Sequence, residues 1–141
     1  MNGDNFLRIV DEAFWPFMNH LGFIMEKPIV GGRLYSVTFT GERHAVSISY
    51  EPDDIQPSVL IFSLLGSRKS SIDDRNATPR LGDLNASFMK SVTKQERAIN
   101  DAFFNSIVVN DSEERLLLKS AKELRLVLPK YMTSGGKKGG P

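Results

Sequence analysis

Two histidines, seventeen carboxylates and no cysteine set the chemistry open to this chain. With no thiol there is no disulfide framework, no thiolate metal site, no iron–sulfur cluster and no cysteine nucleophile, a pattern that suits a reducing cytoplasm. A transition-metal site would have to combine His20 or His44 with carboxylates. Neither histidine stands in the His-x-x-x-His or Glu-x-x-His spacing that puts two ligands on one helix face. The nearest combination, Glu42 with His44, reads as an exposed pair on a strand. A serine nucleophile needs a strained elbow, and no Gly-x-Ser-x-Gly occurs; Gly66-Ser67 lacks the rest of it. Gly31-Gly32 precedes a strand rather than a helix N-terminus, so it offers no phosphate cradle. No catalytic residue, cofactor or metal ligand is assigned on these grounds.

Carboxylate clusters carry no sharp signature, yet paired acids can move protons or hold magnesium. Two clusters qualify: Glu51, Asp53 and Asp54 beside Tyr50, and Asp73 with Asp74 beside Arg75. Each also fits a turn in which aspartate accepts from neighbouring amides, and the second fits a loop pinned by Asp–Arg pairs. The net charge of +1 is far from the basic balance of a nucleic-acid binder. It conceals an asymmetry. Residues 1–65 hold four basic and eight acidic residues, and residues 66–141 hold fourteen and nine. An acidic first half favours a basic partner. Arg115, Lys119, Lys122 and Arg125 recur at helical spacing as a basic face, interrupted by Glu114 and Glu123, and nucleic-acid binding is disfavoured.

The elements that must position these groups follow from periodicity. Residues 4–21 place Phe6, Ile9, Val10, Ala13, Phe14, Phe17 and Leu21 on one helical face. Asp4 is the expected N-cap, Pro16 the site of a kink or break, and Gly22 the stop. The period then changes to two, and four strands ending with 34–40, 44–50 and 59–65 predict an antiparallel meander. Residues 66–79 are polar and rich in breakers, which predicts a long mobile loop. A short helix or apolar clip is expected over 81–89. Thr93 with Glu96 has capping-box spacing for a helix over 94–107 that buries Ile99, Phe103 and Ile107. A last helix from Asp111 buries Leu117, Ala121, Leu124 and Leu128 and ends at Pro129.

The fold class expected is therefore α+β: an N-terminal helix, a four-stranded antiparallel meander, and two to three C-terminal helices on one face of the sheet. Hydrophobic residues at 40% and charged residues at 25% are ordinary globular usage. Residues 1–132 read as one domain and 133–141 as a disordered Gly/Lys tail. No apolar run reaches the roughly 20 residues of a membrane span, and a cytoplasmic location is expected.

An aromatic first helix ending in Leu21-Gly22-Phe23, a charged meander through residues 46–51, the polar stretch SIDDRNATPR at 71–80 and terminal helices follow one another in this chain. This order resembles that of small bacterial cytoplasmic immunity-type proteins of contact-dependent and polymorphic toxin systems, over most of residues 4–130. The resemblance implies stoichiometric binding of a toxin, usually through an acidic patch facing a basic nuclease; the near-neutral chain departs from the strongly acidic pattern. It assigns no functional residue. The function expected is non-enzymatic protein binding by a monomer or homodimer. Glu51, Asp53 and Asp54 would steer a basic partner, Tyr50 would anchor it, and Asp73, Asp74 and Arg75 would add contacts. The alternatives are a small carboxylate-dependent, magnesium-binding enzyme and a nucleic-acid-associated protein using the basic helix.

Overall fold

The computed structural model describes residues 1–135. The helical arm that opens the chain is continuous through Pro16, where a kink or break was expected, with a π-turn just before it. It runs through α1 (Gly3–Ile9), a π-turn (Val10–Phe14) and α2 (Trp15–His20). Asn2, not Asp4, is the N-cap, its side chain accepting from the Asn5 N–H at 2.9 Å. Pro16 falls in the first turn of α2 and lacks the N–H that would reach back into the preceding turn. The wide turn before it takes up the offset, the Trp15 N–H reaching back five residues to the Val10 carbonyl. Gly22 ends the arm at φ 95°, with Phe23 N–H donating to the Met18 carbonyl and Gly22 N–H to Asn19, both at 3.0 Å.

Six antiparallel strands follow: β1 (Ile24–Met25), β2 (Ile29–Gly31), β3 (Leu34–Thr40), β4 (His44–Tyr50), β5 (Ser58–Leu65) and β6 (Arg68–Lys69). Their order is β1-β3-β4-β5-β6, with β2 also along β3. The expected meander is present, and the additions are short. The segment before β3 forms two strands rather than one, and Gly66, at φ 64°, turns the chain straight back so that β6 pairs with β5. Val37, Ile48 and Val59 face each other across the three long strands, as do Phe39, Val46 and Ile61. All six are buried beneath the helices.

The stretch expected to be mobile is tied down by its own polar groups. Ser70 N–H donates to the Ser63 carbonyl at 2.9 Å, and the hydroxyls of Ser70 and the buried Thr78 lie 2.6 Å apart. Ile61 N–H donates to Pro79 at 2.9 Å, which extends the sheet edge. Next come α3 (Leu81–Phe88), α4 (Lys94–Phe104) and α5 (Ser112–Thr133). The Thr93–Glu96 capping box forms as expected, the Glu96 N–H meeting the threonine hydroxyl at 3.0 Å. α5 does not stop at Pro129. Buried Tyr131 anchors the turn beyond it, and the Thr133 hydroxyl donates to the Pro129 carbonyl at 3.0 Å. Thr133 is thus helical, and the tail beyond Gly135 lies outside the described residues.

α5 is the strut of the molecule, burying Leu117, Ala121, Leu124, Val127 and Leu128 in a core shared with the arm and the sheet. Its N-terminus is joined to the arm by charge. Glu114 is fully buried, and its Oε1 accepts from Arg8 Nη2 at 2.5 Å while Arg8 Nη1 donates to the Val108 carbonyl at 2.9 Å. The Asn110 backbone N–H and Nδ2 reach the same Oε1 at 3.3 and 3.4 Å and the second oxygen has no hydrogen-bond partner, so the guanidinium is the one charged and the shortest compensation for a desolvated carboxylate. Arg8→Ala should therefore cost about 3 kcal/mol in urea unfolding. Glu12→Ala, which removes only the exposed partner of Arg8 at 3.3 Å, should cost under about 0.5 kcal/mol. Equal, small effects would show that the buried pair does not hold the arm.

Candidate binding groove

The apolar stripe of α4 points the wrong way for a core. Ile99 and Phe103 were expected to be buried, yet they are 56% and 39% exposed, and the buried positions are Asn100 and Phe104, one residue on. One residue is about 100° of helix rotation, so the choice of stripe decides which face meets α5. Asn100 and the core residue Phe104, its ring 6.3 Å from that of Phe17, hold the inner face. Asn100 is 1% exposed, and its Nδ2 donates to the Lys122 carbonyl of α5 at 3.0 Å. Arg125 Nη1 donates back to its Oδ1 at 2.9 Å. With both ends of the amide satisfied inside the interface, burying it is tolerable.

The rotation leaves a groove of about 750 Å³ between α2, α4 and α5. Phe17, Ile99, Phe103 and Leu126 supply apolar walls; His20, Glu96, Arg125 and Lys130 supply the polar rim. This size lies within the range of ligand-binding clefts. Lys130 Nζ pairs with Glu96 Oε2 at 3.2 Å. The Thr93 N–H, with Lys130 as the next contribution, holds the Glu96 carboxyl below its usual range. The half-buried Arg125 places its guanidinium carbon over the Phe103 ring, 4.0 Å from the centroid. Burial lowers its affinity for the proton, but an arginine remains a cation at neutral pH. The basic stripe is thereby split: Arg115 and Lys119 are exposed, while Arg125 turns into the groove.

The acidic residues singled out in the sequence do not form one site. Glu51, Asp53 and Asp54 lie exposed at the tip of the β4–β5 loop. Asp53 pairs with Arg33 of the β2–β3 turn, and Asp54 Oδ2 accepts from the Glu51 N–H at 3.0 Å. Tyr50 cannot be their surface anchor. It is 1% exposed, with its hydroxyl directed to the Pro52 carbonyl at 3.3 Å, because its strand position alternates inward with Ile48 and Val46. The exposed apolar group at this tip is Ile55, 91% exposed. Asp73, Asp74 and Arg75 lie in the tied-down stretch after β6. Asp74 Oδ1 accepts from the Asn76 and Ala77 amides at 3.1 and 3.2 Å, and Arg75 Nη2 donates to both Asp83 carboxylate oxygens at 3.1 Å. Their visible work is to shape the loop. Among the described residues no group of three histidines, aspartates or glutamates is placed to hold a metal ion, and no helix is long and apolar enough to cross a membrane.

His44 is not the exposed partner of Glu42 that its spacing implied. It is buried, its ring 5.5 Å from that of Tyr131, at the edge of a second cavity of about 240 Å³ that Glu42 and Arg43 also line. Burial first, and the Arg43 charge second, push its imidazole below the ordinary value of 6.5. As pH falls, the unfolded chain therefore takes up this proton before the folded one does. The stability is fully present above about 6.5 and is lost as pH falls below that value toward the depressed folded one. Urea unfolding from pH 8 to 5, both approximate limits, should show a fall in stability that His44→Gln flattens. An unchanged slope in the variant would contradict the assignment.

Compared with known proteins, the chain matches no family model, no curated protein and no solved structure.

Proposed function

We propose that the protein is a non-enzymatic binding module that seats an amphipathic helix of another protein in the groove between α2, α4 and α5. The carrying observation is the outward stripe of Ile99 and Phe103 on α4, lying against the apolar floor that α5 supplies. Covering the exposed part of each side chain would contribute about 1–2 kcal/mol. The walls are helices whose backbone groups are already bonded within themselves, so they offer no edge for an extended peptide to pair with. A helix satisfies its own backbone and brings a matching apolar face.

Neutralisation of a toxin by stoichiometric binding is the specific form we favour, and the resemblance in the order of elements to immunity-type proteins of bacterial toxin systems supports it. In that form the chain acts in the bacterial cytoplasm. A second reading places a basic partner on the acidic tip, where Ile55 stands exposed beside Glu51, Asp53 and Asp54. The groove is favoured because two of the three tip acids already have partners within the fold, Asp53 in Arg33 and Asp54 in the Glu51 amide.

Tagged protein would be used to recover partners from its host lysate, with Ile99→Glu and the triple change of Glu51, Asp53 and Asp54 to lysine alongside. Ile99→Glu should leave folding stability within about 0.5 kcal/mol, since the site is exposed, and should lose the partner. The triple variant should keep it, with slower association at low salt. Loss in the triple variant alone moves the interface to the acidic tip. A wild-type protein that retains no protein partner contradicts the binding-module reading.

A further inference from the structure

Resting on that reading of the groove, we infer that Arg125 is its anion-reading residue, and that the helix it takes carries an aspartate or glutamate at the border of its apolar face. Three observations converge. The guanidinium is fixed in place, with the Phe103 ring beneath it at 4.0 Å and the Asn100 amide oxygen holding Nη1 at 2.9 Å. That amide is itself buried and anchored to the Lys122 carbonyl at 3.0 Å, so the arginine is held by a relay into the core rather than by a solvent-facing neighbour. Finally, the two neighbouring cations of α5 are treated differently. Lys130 is paired with Glu96 within the fold, whereas among the described residues no carboxylate lies within ion-pair distance of Arg125.

A guanidinium presents five N–H donors in a planar fork that matches a carboxylate. Arg125 makes one side-chain hydrogen bond, through Nη1. Docking an apolar helix on Ile99, Phe103 and Leu126 would remove water from the remaining donors, at a cost unless the helix brings an acceptor. A carboxylate supplies two, and the charge-assisted pair forms where the Phe103 ring and Leu126 exclude solvent. The acid must lie within one turn of the apolar residues that meet Ile99 and Phe103, which places it three or four positions away on the same helix. An apolar helix with a lysine at that border would bring a like charge to a desolvated arginine and be rejected.

The test is a display selection from a library of sixteen-residue amphipathic helices with randomised border positions. It is run against the wild-type protein, Arg125→Gln, and a groove-blocked Ile99→Glu/Phe103→Glu protein. Circular dichroism establishes that each variant is folded, and recovery of helices from the library by Arg125→Gln that the blocked protein does not bind establishes that the groove survives loss of the Arg125–Asn100 bond. The expected result is a set of helices that depend on the unblocked groove and are enriched in aspartate or glutamate at one border position. Their affinity should fall about tenfold to a hundredfold with Arg125→Gln, and the enrichment should vanish when selection is repeated on that variant. Groove-dependent helices with no acidic enrichment, or with an enrichment that Arg125→Gln leaves intact, overturn the role of Arg125 while leaving the groove reading standing. If every selected helix binds the blocked protein equally well, or none is selected, the groove reading fails and this inference with it.

Discussion

A single buried amide sets the geometry on which the rest of this molecule turns. Asn100 bonds the backbone of α5 at Lys122 and receives Arg125, and a polar group placed there has to be met on both sides or it destabilises the interface. The register that meets it puts Asn100 and Phe104 inside. Ile99 and Phe103 are then carried outward by one helical step. The alternative register would bury Ile99 and Phe103, turn the Asn100 amide out to water, and give up both its bonds to α5 and the burial of Phe104 in the core. The fold thus keeps a bonded polar clamp at α4–α5 and leaves an apolar face beside it.

The clamp works because α5 is itself immobilised. Its length from Ser112 to Thr133 spans the molecule, with the buried Glu114–Arg8 pair at one end and the Tyr131 ring against His44 and Phe88 at the other. Between them the apolar stripe from Leu117 to Leu128 packs in the core shared with the arm and the inner sheet face. The arm completes the arrangement: it continues through its π-turn past Pro16, and Phe17 and His20 of α2 line the groove with α4 and α5. Groove, clamp and strut are therefore one mechanical unit, and the sheet is its support.

Much of this was legible beforehand. Alternation located the three long strands, Gly22 and the Thr93–Glu96 box marked helix ends, and the α+β arrangement followed from the order of periods. What escaped has physical reasons. Strands of two or three residues, such as β1, β2 and β6, are too short to show a period. Pro129 reads as a terminator because local sterics oppose it, whereas the burial of Tyr131 two residues on outweighs the lost bond. Tyr50 reads as exposable because it adjoins three acids, but strand alternation sends it inward. The groove was hidden by the same rule that finds helices: an apolar i, i+4 pair is taken for core. A weak signal existed in Asn100 and Phe104, which offer a second i, i+4 pair, but only the tertiary bonds of the amide decide between them.

Amide hydrogen exchange on the free protein and on its purified partner complex addresses the central claim most directly, because it maps the covered surface without substitution. The account predicts added protection in α4, in the last two turns of α5 and in α2, with the β2–β3 turn and the β4–β5 loop unchanged. Protection confined to residues 31–34 and 51–56, with α4 exchanging as in the free protein, would contradict it.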